Sequence, residues 1–166
     1  GGLGYIGTEL CKIYSGYSWN DKITVIDNRF ISERINQLRN WNINFIQGDI
    51  LDKDLIKKHC QDADIVHHLA GVTDVPRVKS ESSPEKEDLI NKVAEEGTQN
   101  ILDVISDKCK IIMPSSHVVY EGLESIKKDI NENEKTCPVL SYGKSKDINE
   151  NQLKKSGKNF IILRLG

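Results

Sequence analysis

Short apolar runs alternate along this chain with longer segments of mixed character. Residues 22–26, 43–47, 64–70, 110–113 and 159–164 are β-branched or apolar for most of their length, as buried strands are. Between them lie segments with helical signals. A helix over 5–15 follows a cluster of glycines, and Ser32 is placed to cap a short one reaching Arg39. Asp52 is placed to cap another through Cys60. The longest helix runs from Pro84 to Ser106, with Leu89, Val93, Gly97, Ile101 and Ile105 as its apolar stripe. A last helix covers 141–155. Residues 72–83, broken by Pro76 and Pro84, and the polar stretch 121–138 read as loops. Strand and helix in strict alternation, with strands apolar on both faces, predict an α/β architecture. The fold expected is a Rossmann-type doubly wound parallel sheet with helices on both faces.

The 166 residues are enough for one domain. Charge is balanced, with 23 basic and 25 acidic side chains and a net charge of −2. No basic surface for nucleic acid and no membrane association is expected. Cys11, Cys60, Cys109 and Cys137 are widely spaced, with no CxxC, and read as neither a disulfide framework nor a metal site. A reducing, cytoplasmic setting is the expectation.

The chemistry begins at the first residue. Gly1, Gly4 and Gly7 surround Tyr5 and Ile6 in Gly-Gly-Leu-Gly-Tyr-Ile-Gly, ahead of a helix. Glycines at this spacing let the backbone approach a pyrophosphate, and the helix N-terminus offers free N–H groups to it. Asp27 ends the next strand twenty residues after Gly7, where a ribose-binding carboxylate belongs. A carboxylate accepts from both ribose hydroxyls and repels a 2′-phosphate, which favours NAD over NADP. Arg29, two residues on, could instead tolerate that phosphate. Asp49, after the next strand, could accept the adenine amino group or serve only as a turn residue.

Far downstream, Tyr142 and Lys146 stand four apart on a helix, facing the same way. An ammonium beside a phenol lowers its pKa toward the operating range, which suits proton exchange with an alcohol. Ser116, in Pro-Ser-Ser-His-Val-Val-Tyr after a strand, is a candidate to hold the same oxygen. Open α/β sheets bind ligands at this carboxyl end.

Together these pieces resemble the extended short-chain dehydrogenase/reductase superfamily, in its sugar-nucleotide epimerase/dehydratase branch (UDP-glucose 4-epimerase-like). The matching segments are GGLGYIG (1–7), VID (25–27), GDI (48–50), HHLAG (67–71), the Asn91 to Asn100 run, SSHVVY (115–120) and YGKSK (142–146). The resemblance implies NAD as cofactor. Gly1, Gly4, Gly7 and the Tyr5 and Ile6 backbone would hold its pyrophosphate, and Asp27 the adenine ribose. Asp49 and Ile50 would meet the adenine, and Leu69, Ala70 and Gly71 the nicotinamide half. Ser116, Tyr142 and Lys146 would form the catalytic set, Lys146 also bonding the nicotinamide ribose. A nucleotide-sugar substrate and a homodimer of the full-length protein are implied as well, with helices from Pro84 and Ser141 at its interface. The activity expected is C4 epimerisation through a keto intermediate. The alternatives are a reductase of a keto-sugar or other ketone, and a non-catalytic dinucleotide sensor.

The chain departs from the pattern after Ser116. Dehydrating relatives carry Asp-Glu there, and decarboxylating ones a Glu at the second place. Here stand His117 and Val118, which disfavours both reactions. His117 is read as an added proton-transfer group or a packing residue. Glu121 replaces a glycine that commonly follows the Val-Tyr pair, putting the local turn in doubt. His67 and His68 could suggest a metal, but neighbours on a strand point to opposite faces, and no metal site is expected. Thr73, Asp74 and Arg77 lie where a substrate would enter. The chain is expected to be a domain incomplete at both ends, residues 1–166, lacking a first strand between the second and fourth and lacking the substrate domain. Such a piece alone is expected to be poorly stable.

Overall fold

The computed structural model describes residues 1–17, 22–72, 83–124 and 129–166. Among the described residues five strands and five α-helices alternate in order. The helices are α1 (Tyr5–Ser15), α2 (Ser32–Asn40), α3 (Lys53–Cys60), α4 (Pro84–Val104) and α5 (Ser141–Lys155). The strands are β1 (Thr24–Asp27), β2 (Asn44–Gln47), β3 (Ile65–His67), β4 (Lys110–Ser116) and β5 (Asn159–Leu165). Every pairing among them is parallel, as the Rossmann-type expectation requires.

The strands form two groups, β1–β2 and β3–β4–β5, and no ladder joins β1 to β3. The glycine turn and α1 span the interval. Gly2 donates to Ile26 O at 3.2 Å, and Tyr14 of α1 meets His67 of β3 through Oη and Nε2 at 2.8 Å. Two clusters of buried side chains hold these elements. Leu3, Cys11, Val25, Ile35, Leu38 and Ile43 close α1 and α2 onto β1. Ile56, Ile101, Leu102, Ile111, Met113 and Leu153 join α3, α4 and α5 to β4. The outward residues of β5, Ile161, Leu163 and Leu165, are exposed.

Several local expectations are corrected. The buried stripe of α4 is Ile90, Ala94, Gly97, Thr98, Ile101 and Leu102, whereas Leu89 is 49% exposed. A strict spacing of four drifts about 40° per step around a helix of 3.6 residues per turn, so it cannot hold one face. The stretch 64–70 pairs as a strand only over Ile65–His67. Strand β4 runs on past Met113 to Ser116, pairing Pro114 with Leu163. Helix α2 has Ile31, not Ser32, at its N-cap, without a side-chain cap. Asp52 does cap α3, accepting from Leu55 N at 3.0 Å.

Candidate active site

The glycine turn is held by contacts that exclude side chains. A Cβ on Gly1 would stand 2.3 Å from Leu69 O, and one on Gly7 would stand 2.4 Å from Gly2 O. The first contact seats the turn against the segment that leaves β3. Gly4 caps α1 without a side chain, so its N-cap residue offers the first-turn N–H groups no capping oxygen from a side chain. Beside them Tyr5 is 79% exposed and Ile6 is also exposed.

Asp27, at the end of β1, is only 2% exposed. Its Oδ2 accepts from Leu3 N at 3.0 Å, and the Arg29 guanidinium reaches Oδ1 through Nε and Oδ2 through Nη2. Burial pushes this carboxyl up, but the hydrogen bonds from Arg29 and from Leu3 outweigh that and hold it down at about 2. Arg29 therefore occupies the carboxylate expected to be open to a ribose. Asp49 accepts from Leu51 N at 2.9 Å and from Asn28 Nδ2 at 3.1 Å, which makes it a turn residue whatever else it does. Ile50 packs against Gly97, where a Cβ would lie 2.8 Å away.

Helix α5 brings Tyr142 and Lys146 together. The Lys146 Nζ sits 5.6 Å from the centre of the Tyr142 ring and donates to Pro114 O at 3.1 Å. Both side chains line a small cleft with Leu69, Gly71, Ala94 and Asn149. The segment after β3, the glycine turn and the face of α5 thus meet at the carboxyl end of the strands. Ser116 is not among the residues lining this cleft. It ends β4, and its hydroxyl accepts from Val118 N at 3.4 Å in the 3₁₀ turn His117–Tyr120. That turn is pressed against α5, where a Cβ on Gly143 would lie 3.0 Å from Val118 O.

The expected lowering of the Tyr142 pKa is not what the structure gives. Burial raises it, and burial lowers that of Lys146. The ammonium is bound to the Pro114 carbonyl and faces the ring, so desolvation of the phenolate wins over attraction. Tyr142 is consequently a protonated phenol at neutral pH.

His67 and His68 do point to opposite faces. His67 meets Tyr14. His68 meets Thr98 of α4 through Nε2 at 2.8 Å, and Thr98 Oγ1 also accepts from Asn149 Nδ2 at 2.7 Å. Burial, with the Lys146 charge adding, pushes His68 down to about 3, so it is neutral. His117 is exposed and lies against Leu165 O, 3.2 Å from Nδ1, a polar contact to the end of β5. Glu121 settles the turn in doubt: its Oε1 accepts from Val139 N at 2.7 Å and from Leu140 N at 2.5 Å, fixing the start of α5. Thr73, Asp74 and Arg77 lie outside the described residues.

Sequence reasoning missed Asn149 and the buried Glu150, and saw Glu121 only as a departure in the turn. The signal for Glu150 was present, since it follows Lys146 by one helical turn. Its partners Ser115 and Arg164 are remote in sequence.

A parallel α/β unit with a glycine turn and a Tyr-Lys pair at the carboxyl ends of its strands defines a nucleotide-binding fold of the extended short-chain dehydrogenase/reductase type. The chain belongs to the 3-beta hydroxysteroid dehydrogenase/isomerase family, whose model matches residues 1–162. It is similar to a UDP-glucose 4-epimerase from Brucella ovis in complex with NAD, at 27% identity and a TM-score of 0.78 over 99% of this chain. It is similar also to a UDP-N-acetylglucosamine 4-epimerase from Methanobrevibacter ruminantium in complex with UDP-N-acetylmuramic acid, at 27% identity and a TM-score of 0.78 over 98% of this chain. The chain spans 49% and 52% of those two proteins. An uncharacterized membrane protein of Methanocaldococcus jannaschii is 29% identical over 109 residues, which are 65% of this chain and 31% of that protein. Among the described residues no helix is long and apolar enough to cross a membrane.

Proposed function

We propose that residues 1–166 are the dinucleotide-binding unit of an NAD-dependent enzyme that epimerises a nucleotide sugar at C4 through a keto intermediate. The observation that carries this reading is the meeting of Tyr142 and Lys146 with the segment at Leu69–Gly71, which itself abuts Gly1. The likeness to the two 4-epimerases supports the substrate class.

The residues present suit NAD. The turn is too tight for side chains at Gly1 and Gly7, and it leaves the first-turn N–H groups of α1 to a pyrophosphate. Gly4, Tyr5 and Ile6 complete that contact. Asp27, ionised, would take the adenine ribose once the exposed Arg29 swings off it, and Asp49 and Ile50 would border the adenine. Leu69, Ala70 and Gly71 would face the nicotinamide half, and Lys146 would bond its ribose. When bound, the cofactor supplies the hydride acceptor and donor.

Tyr142 exchanges the C4 hydroxyl proton. Burial favours the protonated phenol, so Tyr142 would first have to release its proton. The Lys146 ammonium and the positive charge of a bound NAD⁺ would favour that release. The phenolate would then take the C4 hydroxyl proton and return it to the keto oxygen. Ser116 hydrogen-bonds the same oxygen after turning from Val118 N. Lys146 holds Tyr142 in register from Pro114. In Val118 the chain has no proton-transfer group for dehydration.

The test is to offer the whole protein UDP-sugars and follow both sugar interconversion and NADH absorbance. Interconversion without net NADH change is expected. Stoichiometric consumption of reduced cofactor would instead identify the reductase of a keto-sugar or ketone. Tyr142→Phe should abolish turnover while leaving NAD binding, and retained turnover would remove Tyr142 from this role.

A further inference from the structure

Glu150 is fully buried, with an exposure of 0%. Its carboxylate receives four hydrogen bonds. Ser115 Oγ and Arg164 Nε donate to Oε1 at 2.7 and 2.9 Å. Arg164 Nη2 and Lys154 Nζ donate to Oε2 at 2.6 and 3.0 Å. The donors come from different elements. Ser115 stands next to Ser116 near the end of β4, Arg164 lies near the end of β5, and Lys154 is one turn further along α5. Arg164 continues outward. Its Nη1 donates to Tyr120 Oη and, at 3.1 Å, to Glu132 O, and its guanidinium lies 5.0 Å from the centre of the Tyr120 ring. Tyr120 closes the 3₁₀ turn that begins after Ser116.

One carboxylate thus ties the helix bearing Tyr142 and Lys146 to the strand bearing Ser116 and to the turn beyond it. Glu150 follows Lys146 by four residues, so any shift of α5 along β4 moves both. The other direct polar tie from this part of α5 to β4 is Lys146 Nζ to Pro114 O, and a residue that must also serve the reaction is a poor anchor. A buried, multiply hydrogen-bonded ion pair is stiff, because moving the carboxylate breaks several charge-assisted hydrogen bonds at once. Misplacement of about 1 Å costs on the order of 10²-fold in rate, so the alignment of Ser116 with Tyr142 needs such a constraint.

We infer that Glu150 is a positioning residue, which through Ser115 and Arg164 sets the spacing between Ser116 and the Tyr142–Lys146 pair. This rests on the reading of those three as the reacting set. It goes beyond that reading in assigning their alignment to a buried carboxylate that touches neither substrate nor cofactor.

The test uses the whole protein loaded with NAD and two variants, Glu150→Gln and the milder Ser115→Ala. For Glu150→Gln, kcat should fall by about 10- to 100-fold, with sugar KM and NAD affinity within about threefold of the parent. Ser115→Ala should lower kcat by several fold with the same split. The double variant should lose less than the product of the two, because both act through one contact. A second readout needs no turnover. The Tyr142 phenol, followed by ultraviolet difference against Tyr142→Phe, should shift its titration midpoint by about half a unit or more in Glu150→Gln. Parent activity on UDP-sugars is the separate check on the epimerase reading. If the parent turns over none, that reading fails and the phenol titration decides the positioning role. Unchanged kcat in Ser115→Ala, or an unmoved Tyr142 titration in a folded Glu150→Gln, would reduce Glu150 to a stabilising ion pair and overturn the inference.

Discussion

The Arg29 guanidinium forks onto the Asp27 carboxylate, Nε to Oδ1 at 3.1 Å and Nη2 to Oδ2 at 3.2 Å. Arg29 is 55% exposed while Asp27 is buried, so the cation can swing away and the anion cannot. The pair makes the end of β1 nearly neutral, and a 2′-phosphate meets less repulsion there than a lone carboxylate would give. Arg29→Ala should therefore sharpen selection. The ratio of NADH to NADPH affinity should rise by about tenfold or more, which corresponds to about 1.4 kcal/mol. Fluorescence titration with each reduced cofactor measures it. An unchanged ratio would mean that Arg29 already leaves Asp27 when a cofactor arrives.

Two buried carboxylates make the fold sensitive to acid. Asp27 is held at about 2 against an ordinary 3.8, and Glu150 at about 2 against 4.5. Burial opposes both shifts. Hydrogen bonds from Arg29 and Leu3 N overcome it at Asp27, and those from Arg164, Ser115 and Lys154 at Glu150. A carboxylate with a depressed folded pKa stabilises fully above its unfolded value, and that stabilisation is lost as pH falls through the folded one. The window is therefore from about pH 4.5 down to about pH 2, and each group contributes roughly 2 to 3 kcal/mol. Thermal melts of the whole protein should be level from pH 7 to 5 and fall steeply below 4. Glu150→Gln should flatten that fall, since one of the two titrating groups is gone.

Strong punctuation makes parts of this structure legible in the sequence. Helix α1 begins at Tyr5 because glycines precede it, and α5 begins at Ser141 after Pro138 and a polar loop. The alternation of β-branched runs with helices gave the parallel sheet. What failed depended on partners distant in sequence. The apolar run through Ala70 looks like one long strand, but β4 pairs with only three residues of it. Tyr142 and Lys146 were legible as a pair from their spacing. The sign of the phenol shift was not, because it depends on the ammonium binding Pro114 O and on burial under the segment at Gly71. Arg29 was visible only as a residue able to tolerate a 2′-phosphate, and its grip on Asp27 was not. Glu150 looks like one more charge on a polar helix until β4 and β5 bring Ser115 and Arg164 to it.

Gly7 should be irreplaceable even by alanine. An added Cβ would stand 2.4 Å from Gly2 O and 2.7 Å from Gly2 C, and both are backbone atoms that cannot rotate away. The strain is relieved only by moving α1 off the turn. Gly7→Ala should cost about 1–3 kcal/mol of stability and weaken NAD(H) binding by at least about tenfold, read by melting and by fluorescence titration. At Gly4 the nearest backbone atom, Gly1 O, would be 3.1 Å away, so Gly4→Ala should be the milder change in stability. Equal losses at both positions would rule out this steric ranking.

Glu121 offers a separable way to disturb α5. Its Oε1 accepts from Val139 N and Leu140 N, just ahead of Tyr142. Leu140 is the N-cap of α5 and has no capping side chain of its own, so Glu121 supplies from another segment what a cap residue usually supplies locally. An anion there also favours the positive end of the helix. Glu121→Ala should lower stability by about 1 kcal/mol and loosen the turn that carries Tyr142, while leaving the Glu150 tie further along α5 intact. Hydrogen exchange should then rise at residues 140–144 and stay unchanged near 150. Turnover should drop less than in Glu150→Gln. If exchange rises equally along the whole helix, the two ends of α5 are not held independently, and the alignment of Tyr142 depends on the cap as much as on the buried carboxylate.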